Sequence, residues 1–151
     1  MSRRAPVGLA AALLLAGLTA GCGTPVLHVA PPHPANATVV ACARLTDHLP
    51  NQLENLNSRL VNPRGPLVHA WGDRKPVVLR CGVPTPAGYD PNSASTARVN
   101  GVDWFQQIFP DRVVWTAVRK TANLELTVPT SYDAQGGFLV DIGAAVAATV
   151  P

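Results

Sequence analysis

Two clusters of aromatic and charged residues have the types needed to bind a small anionic ligand. The first runs over residues 70–84 and contains Trp71, Asp73 and Arg80; the second runs over residues 99–105 and contains Asp103 and Trp104. An arginine guanidinium can donate two parallel hydrogen bonds to a carboxylate or a phosphate, and tryptophan rings suit the apolar walls of a ligand pocket. The functional interpretation is a ligand groove formed by these five residues.

A structural interpretation accounts for the same residues and is the one that the sequence favours. In it, Trp71 and Trp104 are core aromatics, and Arg80 forms an ion pair with Asp73 or Asp103. The two interpretations make different predictions about the tryptophan side chains, which would line a cavity in the first case and be buried in the second.

Catalytic motifs are missing from the sequence. It contains no Gly-x-Ser-x-Gly, no His-Glu-x-x-His, no phosphate-binding Gly-x-x-x-x-Gly-Lys-Ser/Thr and no Ser-x-x-Lys. We therefore expect no metal and no cofactor, and we expect a protein that is not an enzyme. The alternative is a cell-envelope hydrolase or transferase that uses the carboxylates of Asp73 and Asp103 near Arg80.

The N-terminal 22 residues have the pattern of a bacterial lipoprotein signal. Arg3 and Arg4 precede an uncharged apolar run, which ends in Leu18-Thr19-Ala20-Gly21-Cys22. A cysteine at this place resembles a lipobox, in which the thiol is acylated after cleavage and becomes the new N-terminus. The sequence predicts a signal peptide over 1–21 and a lipid anchor (diacylglycerol, palmitate) at Cys22. An uncleaved single N-terminal membrane anchor and plain secretion are the alternatives.

The other two of the three cysteines, Cys42 and Cys81, are predicted to form a disulfide, because an exported domain folds in an oxidising compartment. Two buried free thiols are the alternative. Neither cysteine has the spacing of a zinc site or a Cys-x-x-Cys motif.

Charge and length limit the classes of function. Removing residues 1–21 leaves 151 − 21 = 130 residues, which suits one domain. It also removes two of the 12 Lys and Arg residues, so that 10 remain against 9 Asp and Glu. A nearly neutral domain gives no electrostatic reason to expect nucleic-acid binding.

Residues 22–38 are rich in proline and predict an extended tether, and residues 39–151 are predicted to form one globular domain. Helical spacing predicts helices over 39–49, over 52–61 and from about 137 or 138 to 149. Strands are predicted over 76–81, 98–102, 112–119 and 123–128, and residues 82–97 are predicted to form a long loop. The expected fold is α+β, with a small antiparallel sheet, N-terminal and C-terminal helices packed on one face, and one disulfide.

Three motifs together carry a resemblance to a known family. Trp71-Gly72-Asp73, the run Val78-Leu79-Arg80-Cys81-Gly82-Val83-Pro84 and the run Asn100-Gly101-Val102-Asp103-Trp104 resemble an uncharacterised family of actinobacterial envelope proteins, domain-of-unknown-function family 3515. The resemblance covers about residues 39–129. It implies a membrane or lipoprotein location and a cysteine pair, and it implies no activity.

These observations predict a lipoprotein that is tethered to the outer face of the cytoplasmic membrane. The domain is expected to be a non-enzymatic interaction or ligand-binding module. Its expected partners are the membrane, through Cys22, and another envelope protein or a cell-wall component. A purely structural assembly factor is a further alternative, and it predicts a flat apolar patch in place of a pocket.

Overall fold

The computed structural model describes residues 25–133 and 135–151. The predicted signal peptide and Cys22 lie outside the described residues. The helices and strands of the described residues are, in chain order, β1 Leu27–His28, α1 Asn36–Thr46, β2 Gln52–Leu53, β3 Leu56–Arg59, β4 Val61–Asn62, β5 Val68–Trp71, β6 Val77–Cys81, β7 Thr96–Val99, β8 Val102–Ile108, β9 Arg112–Ala117, β10 Leu124–Pro129 and α2 Gln135–Thr149. Neither α1 nor α2, the helices of this part of the chain, has the length and apolar character that crossing a bilayer needs.

One antiparallel sheet organises the fold. Its eight strands lie in the order β2-β3-β5-β6-β10-β9-β8-β7, and the remaining two strands, β1 and β4, pair in parallel beside it. Both helices pack on one face of the sheet, and the main core lies between them and the strands. The α+β fold with an antiparallel sheet, helices on one face and one disulfide is therefore confirmed.

The hairpin of β9 and β10 and the helix α2 follow the predicted patterns. Leu124, Leu126 and Val128 are fully buried toward the helices, whereas Glu125 and Thr127 alternate with them on the other face. A strand places successive side chains on opposite faces, so the alternation in the sequence is sufficient to orient β10. In α2, which matches the helix predicted to end at residue 149, Phe138, Leu139, Ile142 and Val146 are buried at helical spacing.

The helix predicted over residues 52–61 is wrong. This stretch forms β2, β3 and the start of β4, with a tight turn in which Glu54 has a φ of 52°. Leucines at 53, 56 and 60 have helical spacing, but the intervening Asn and Ser residues are weak helix formers. Leu53 is fully buried, while Leu60 is 57% exposed, so these leucines do not form one buried face.

Residues 25–35, here called the N-terminal segment, lie against the second face of the sheet instead of extending away from it. Leu27 and Val29 pack on a small apolar cluster that contains Val61, Val68 and Ala70. Helix α1 then begins at Asn36, three residues earlier than predicted. The folded domain therefore includes most of the proline-rich stretch that the sequence assigned to a tether.

The register of the strands defines two ends of the sheet. The loop after β5 (residues 72–76) and the turn between β8 and β9 (residues 109–111) lie at one end. Arg59 donates to the carbonyl oxygens of Asp73 and Pro25, which places Pro25 there too, and we call this the Pro25 end. The opposite, Gly82 end holds Gly82 and the turn between β9 and β10 (residues 118–123).

Candidate functional site

The two tryptophans of the predicted groove are core residues. Trp71 is 1% exposed and Trp104 is 0% exposed, and both lie in the core cluster under the helices. Trp71 also donates from Nε1 to the carbonyl oxygen of Pro50 at 3.0 Å, which anchors the chain after α1. Three strands separate β5 from β8, so the two rings do not face each other across a cleft. Their placement matches the structural interpretation of the sequence.

The two aspartates are also far apart. Asp73 is exposed in the loop at the Pro25 end. Asp103 lies near the other end of β8, where its half-exposed carboxylate is 3.7 Å from the guanidinium of Arg98. The two carboxylates lie at opposite ends of the sheet, so the fold does not pair them as a general acid and a general base.

Arg80 lies on the second face of the sheet. Its partner is neither of the two aspartates that the sequence suggested. It donates from Nε to Glu125 at 2.9 Å, and its Nη2 lies 2.7 Å from the same carboxylate oxygen. The two residues are directly opposite in the pairing of β6 with β10. Cross-strand neighbours of opposite charge stabilise a sheet. The sequence analysis did not identify Glu125 as the partner of Arg80, because the sequence of β6 does not reveal which strand lies beside it.

Arg80 also separates two cavities on the second face of the sheet. A cavity of about 510 Å³ lies on the side of the Gly82 end. A second cavity, of about 360 Å³, lies further along the sheet face. It is lined mainly by β6, β8, β9 and β10, with Val29 of the N-terminal segment at its border. Arg80 and its partner Glu125 both line the second cavity, but Glu125 does not line the first.

The first cavity is cationic. Arg80, Arg119 and Lys120 line it, and no carboxylate is present among its described lining residues. Arg119 is held in place because its Nε donates to the carbonyl oxygen of Val150 at 2.7 Å. The backbone amide of Lys120 donates to Pro151 at 3.1 Å, so the last residues of the chain brace this turn. Such a site suits an anionic group, since guanidinium and ammonium groups both bind phosphate and carboxylate.

The wall opposite these cations comes from the N-terminal segment. His33, Pro34 and Ala35 line the same cavity, and a Cβ at Gly82 would lie 2.6 Å from Cγ of Pro34. Gly82 has a φ of +89°. It therefore combines a backbone conformation that suits glycine with a contact that leaves no room for a side chain. The glycine in the sequence motif has its explanation here: it lets the N-terminal segment close one side of the cavity.

The disulfide predicted from the cysteine count is present and supports the same region. Cys42 and Cys81 are bonded at 2.01 Å with their Cα atoms 5.8 Å apart, and both are fully buried. The bond ties α1 to the last residue of β6. Arg80 and Gly82, the neighbours of Cys81, are therefore held at fixed positions relative to α1.

His69 is a structural residue and is not part of either cavity beside Arg80. Its Nε2 lies 3.1 Å from Oγ1 of Thr46. Burial lowers its pKa below the ordinary value of 6.5, and a hydrogen bond with the backbone of Pro66 opposes that shift in part. Among residues 25–133 and 135–151, no group of three or more His, Cys, Asp and Glu side chains is placed to hold a metal ion.

The sequence located Arg80 correctly in the chain but missed the other cations of the cavity. The sequence analysis placed Arg119 at the end of the strand predicted over 112–119 and Lys120 after it, and it gave neither residue a role in binding. Their significance depends on the distant segments that meet them, Pro32–Ala35 and Gly82–Pro84. A contact between three parts of the chain leaves no local pattern.

Comparison with known proteins gives a family and no activity. The family model described as "Protein of unknown function (DUF3515)" matches residues 5–151. No curated protein and no solved structure matches the chain.

Proposed function

Because the chain belongs to this family of unknown function, no relative supplies an activity, and we propose that it is a lipid-anchored envelope protein whose domain binds an anionic ligand without catalysis. The proposal has two parts, an anchor at Cys22 and a binding site beside Arg80. They are tested separately.

The anchor is supported by the cysteine count. The chain has three cysteines, and two of them form the buried disulfide. Cys22 remains, at the position where the lipobox-like sequence would place an acylated thiol. A disulfide in a small domain is typical of proteins that fold outside the reducing cytosol. A cysteine that carries a diacylglycerol meets the requirement for more than one acyl chain in stable membrane attachment.

The binding site is carried by one observation: the cavity of about 510 Å³ is lined by three cationic side chains and by no described carboxylate. Glu125 neutralises part of the charge of Arg80 from the neighbouring cavity. No Asp or Glu side chain is among the described residues that line this cavity with Arg119 and Lys120, so its lining side chains carry a net positive charge. A phosphate or carboxylate group of an envelope component is the class of ligand that this charge would attract.

Intact mass measurement tests the anchor. Protein extracted from membranes should have lost residues 1–21 and gained the mass of a diacylglycerol at Cys22, with or without a further acyl chain. Cys22→Ser should remain uncleaved and carry no lipid. A wild-type mass equal to the unprocessed 151-residue chain would refute this part of the proposal.

Titration with glycerol 3-phosphate, followed by nuclear magnetic resonance, tests the site. We expect shifts of the backbone amide signals of residues 82, 83 and 119–123, and these shifts should weaken as salt is added, because salt screens exposed charges. Lys120→Gln should weaken binding several-fold, by about 0.5–1 kcal/mol. The matched control is Lys75→Gln, since Lys75 is exposed at the opposite end of the sheet. Equal effects of the two substitutions would show that binding is not at this cavity.

The hydrolase alternative has no comparable geometric support. Its proposed carboxylates, Asp73 and Asp103, are separated as described above. Glu54 and Asp133 do line one cavity, of about 320 Å³, together with Tyr132 and Phe138. No histidine or lysine is present among the described residues that line that cavity. We therefore propose binding and not hydrolysis as the function.

A further inference from the structure

The turn between β8 and β9 exposes apolar side chains at its tip. Ile108 is 74% exposed and Phe109 is 36% exposed, and Pro110 follows them. Among the large apolar side chains of the described residues, Ile108 is the most exposed. Two adjacent apolar residues at the tip of a hairpin form a protruding surface, which is different from single apolar residues scattered over a domain.

The tip is held firmly in this position. The amide of Phe109 donates to the carbonyl oxygen of Arg112 at 2.9 Å, which closes the turn. The amide of Thr130 donates to the carbonyl oxygen of Asp111 at 3.0 Å. The guanidinium of Arg112 lies over the ring of Phe109, 4.6 Å from its centroid, and also pairs with Asp111. The apolar side chains are therefore presented by a braced turn and by an ordered cation beside them.

The tip lies at the end of the sheet that holds Pro25, the first described residue. Ile108 is opposite Val113, Arg112 is opposite Pro129, and Pro129 is at the Pro25 end. Two further apolar side chains, Val26 and Leu60, are about half exposed at the same end. The cationic cavity is at the other end.

The distance from Pro25 to Cys22 is short. Only Gly23 and Thr24 lie between the two, and three extended Cα–Cα steps span at most about 11 Å. An acylated Cys22 would therefore keep the Pro25 end close to the membrane. The extended tether that the sequence suggested is not needed, because Leu27, Val29 and Pro34 of that stretch pack against the sheet and its Gly82 end.

We propose that Ile108 and Phe109 insert into the outer leaflet of the membrane as a second, non-covalent contact. The proposal rests on the lipid anchor of the proposed function, since the anchor determines which end of the domain faces the bilayer. Apolar residues next to an arginine are suited to the boundary between acyl chains and headgroups, where the ring and the aliphatic chain are buried and the cation meets lipid phosphate. This orientation directs the anion-binding cavity away from the membrane.

Fluorescence of a labelled cysteine tests the insertion. Cys42 and Cys81 are bonded and Cys22 is modified, so an introduced cysteine is the single free thiol of the acylated protein. Ile108→Cys is labelled with an environment-sensitive dye and placed in vesicles of phosphatidylglycerol and phosphatidylcholine in equal parts. The matched control is Thr121→Cys, an exposed position in the turn between β9 and β10 at the Gly82 end.

At position 108 we expect a blue shift of the emission, loss of quenching by aqueous iodide, and quenching by lipid probes about 5–10 Å below the surface. The label at position 121 should stay fully accessible to iodide. Adding Phe109→Asp to the labelled Ile108→Cys protein should restore iodide quenching at position 108.

The outcomes separate this proposal from the proposed function. If the mass shows the lipid and the protein floats with the vesicles, but position 108 is as accessible as position 121, insertion is refuted and the anchor stands. If the mass shows no lipid, the anchor is refuted and the insertion proposal falls with it. Failure of glycerol 3-phosphate to bind would affect only the cavity.

Discussion

At the scale of single residues, the main ion pair on the second face of the sheet joins Arg80 to Glu125. The carboxylate occupies the Nε and Nη2 side of the guanidinium. Glu125 is only 19% exposed, so the pair is partly shielded from solvent and more ordered than a fully exposed surface ion pair. Arg80 thus borders both cavities, while the excess charge of the larger one comes from Arg119 and Lys120.

The disulfide provides the first prediction at this scale. The two cysteines are 39 residues apart in the sequence. For a loop of this length, the chain-entropy model predicts that the double substitution Cys42→Ala with Cys81→Ala lowers the free energy of unfolding by about 4 kcal/mol. Chemical denaturation measures the difference. Cys22→Ala should leave the unfolding midpoint unchanged, and a double-alanine variant as stable as the wild type would contradict the prediction.

His69 provides the second prediction. Because burial lowers its pKa in the folded state, the unfolded chain binds a proton first as the pH falls below 6.5. The contribution of neutral His69 to stability is therefore complete above pH 6.5 and is lost as the pH falls toward the lowered pKa. The melting temperature should fall between pH 7.5 and pH 5.5, and this fall should be smaller in His69→Gln.

His48 is the matched control for His69. It is exposed, and its Nδ1 contacts the carbonyl oxygen of Arg44 at 2.9 Å. His48→Gln removes an exposed imidazole and leaves His69 in place. The same reduction in both variants would mean that His69 is not the group responsible.

At the scale of elements, the N-terminal segment is the part of the fold that differs most from the sequence prediction. Its prolines suggested a spacer, but Leu27 and Val29 bury against the sheet, and Pro34 packs on Gly82. The strand β1 has two residues, of which only Leu27 is apolar, and so short a stretch gives too weak a pattern to be recognised. The strand is stabilised by the apolar cluster around Val68, which the sequence does not reveal as a docking surface.

Gly82 allows this packing to be tested. Gly82→Ala should cost about 1–2 kcal/mol for a left-handed backbone, and more because its Cβ would meet Pro34. Gly88→Ala is the control, since Gly88 has a φ of +76° and no atom lies within 4 Å of its added Cβ. Thermal unfolding should show a larger loss for Gly82→Ala. Equal losses would indicate that only backbone strain matters.

At the scale of the whole molecule, the sheet has two different ends. The Pro25 end carries the first described residue and the apolar turn, and the Gly82 end carries the cationic cavity. If Cys22 is acylated, the short connection to Pro25 and the turn at Ile108 and Phe109 together restrict how the domain can rotate on the membrane. A binding site at the far end would then face outward, toward soluble or wall-bound ligands.

Lengthening the connection between Cys22 and Pro25 tests whether the short tether holds the turn at the membrane. Inserting about 20 Gly and Ser residues after Gly23 gives a flexible connection with a root-mean-square length of about 25 Å. The anchor should persist, but the local concentration of the turn at the bilayer should fall, and the label at position 108 should regain much of its iodide quenching. An unchanged signal would mean that the turn inserts without help from a short tether.

What the sequence determined by itself was local. The alternation of β10, the helical face of α2 and the cysteine count predicted the fold class and the disulfide, because strand and helix periodicity and thiol pairing leave marks in a single stretch of chain. The tertiary structure decided that Trp71 and Trp104 are core residues, that Glu125 is the partner of Arg80, and that Arg119 and Lys120 share its cavity. These facts depend on strand order and on segments distant in sequence, and no local pattern encodes them.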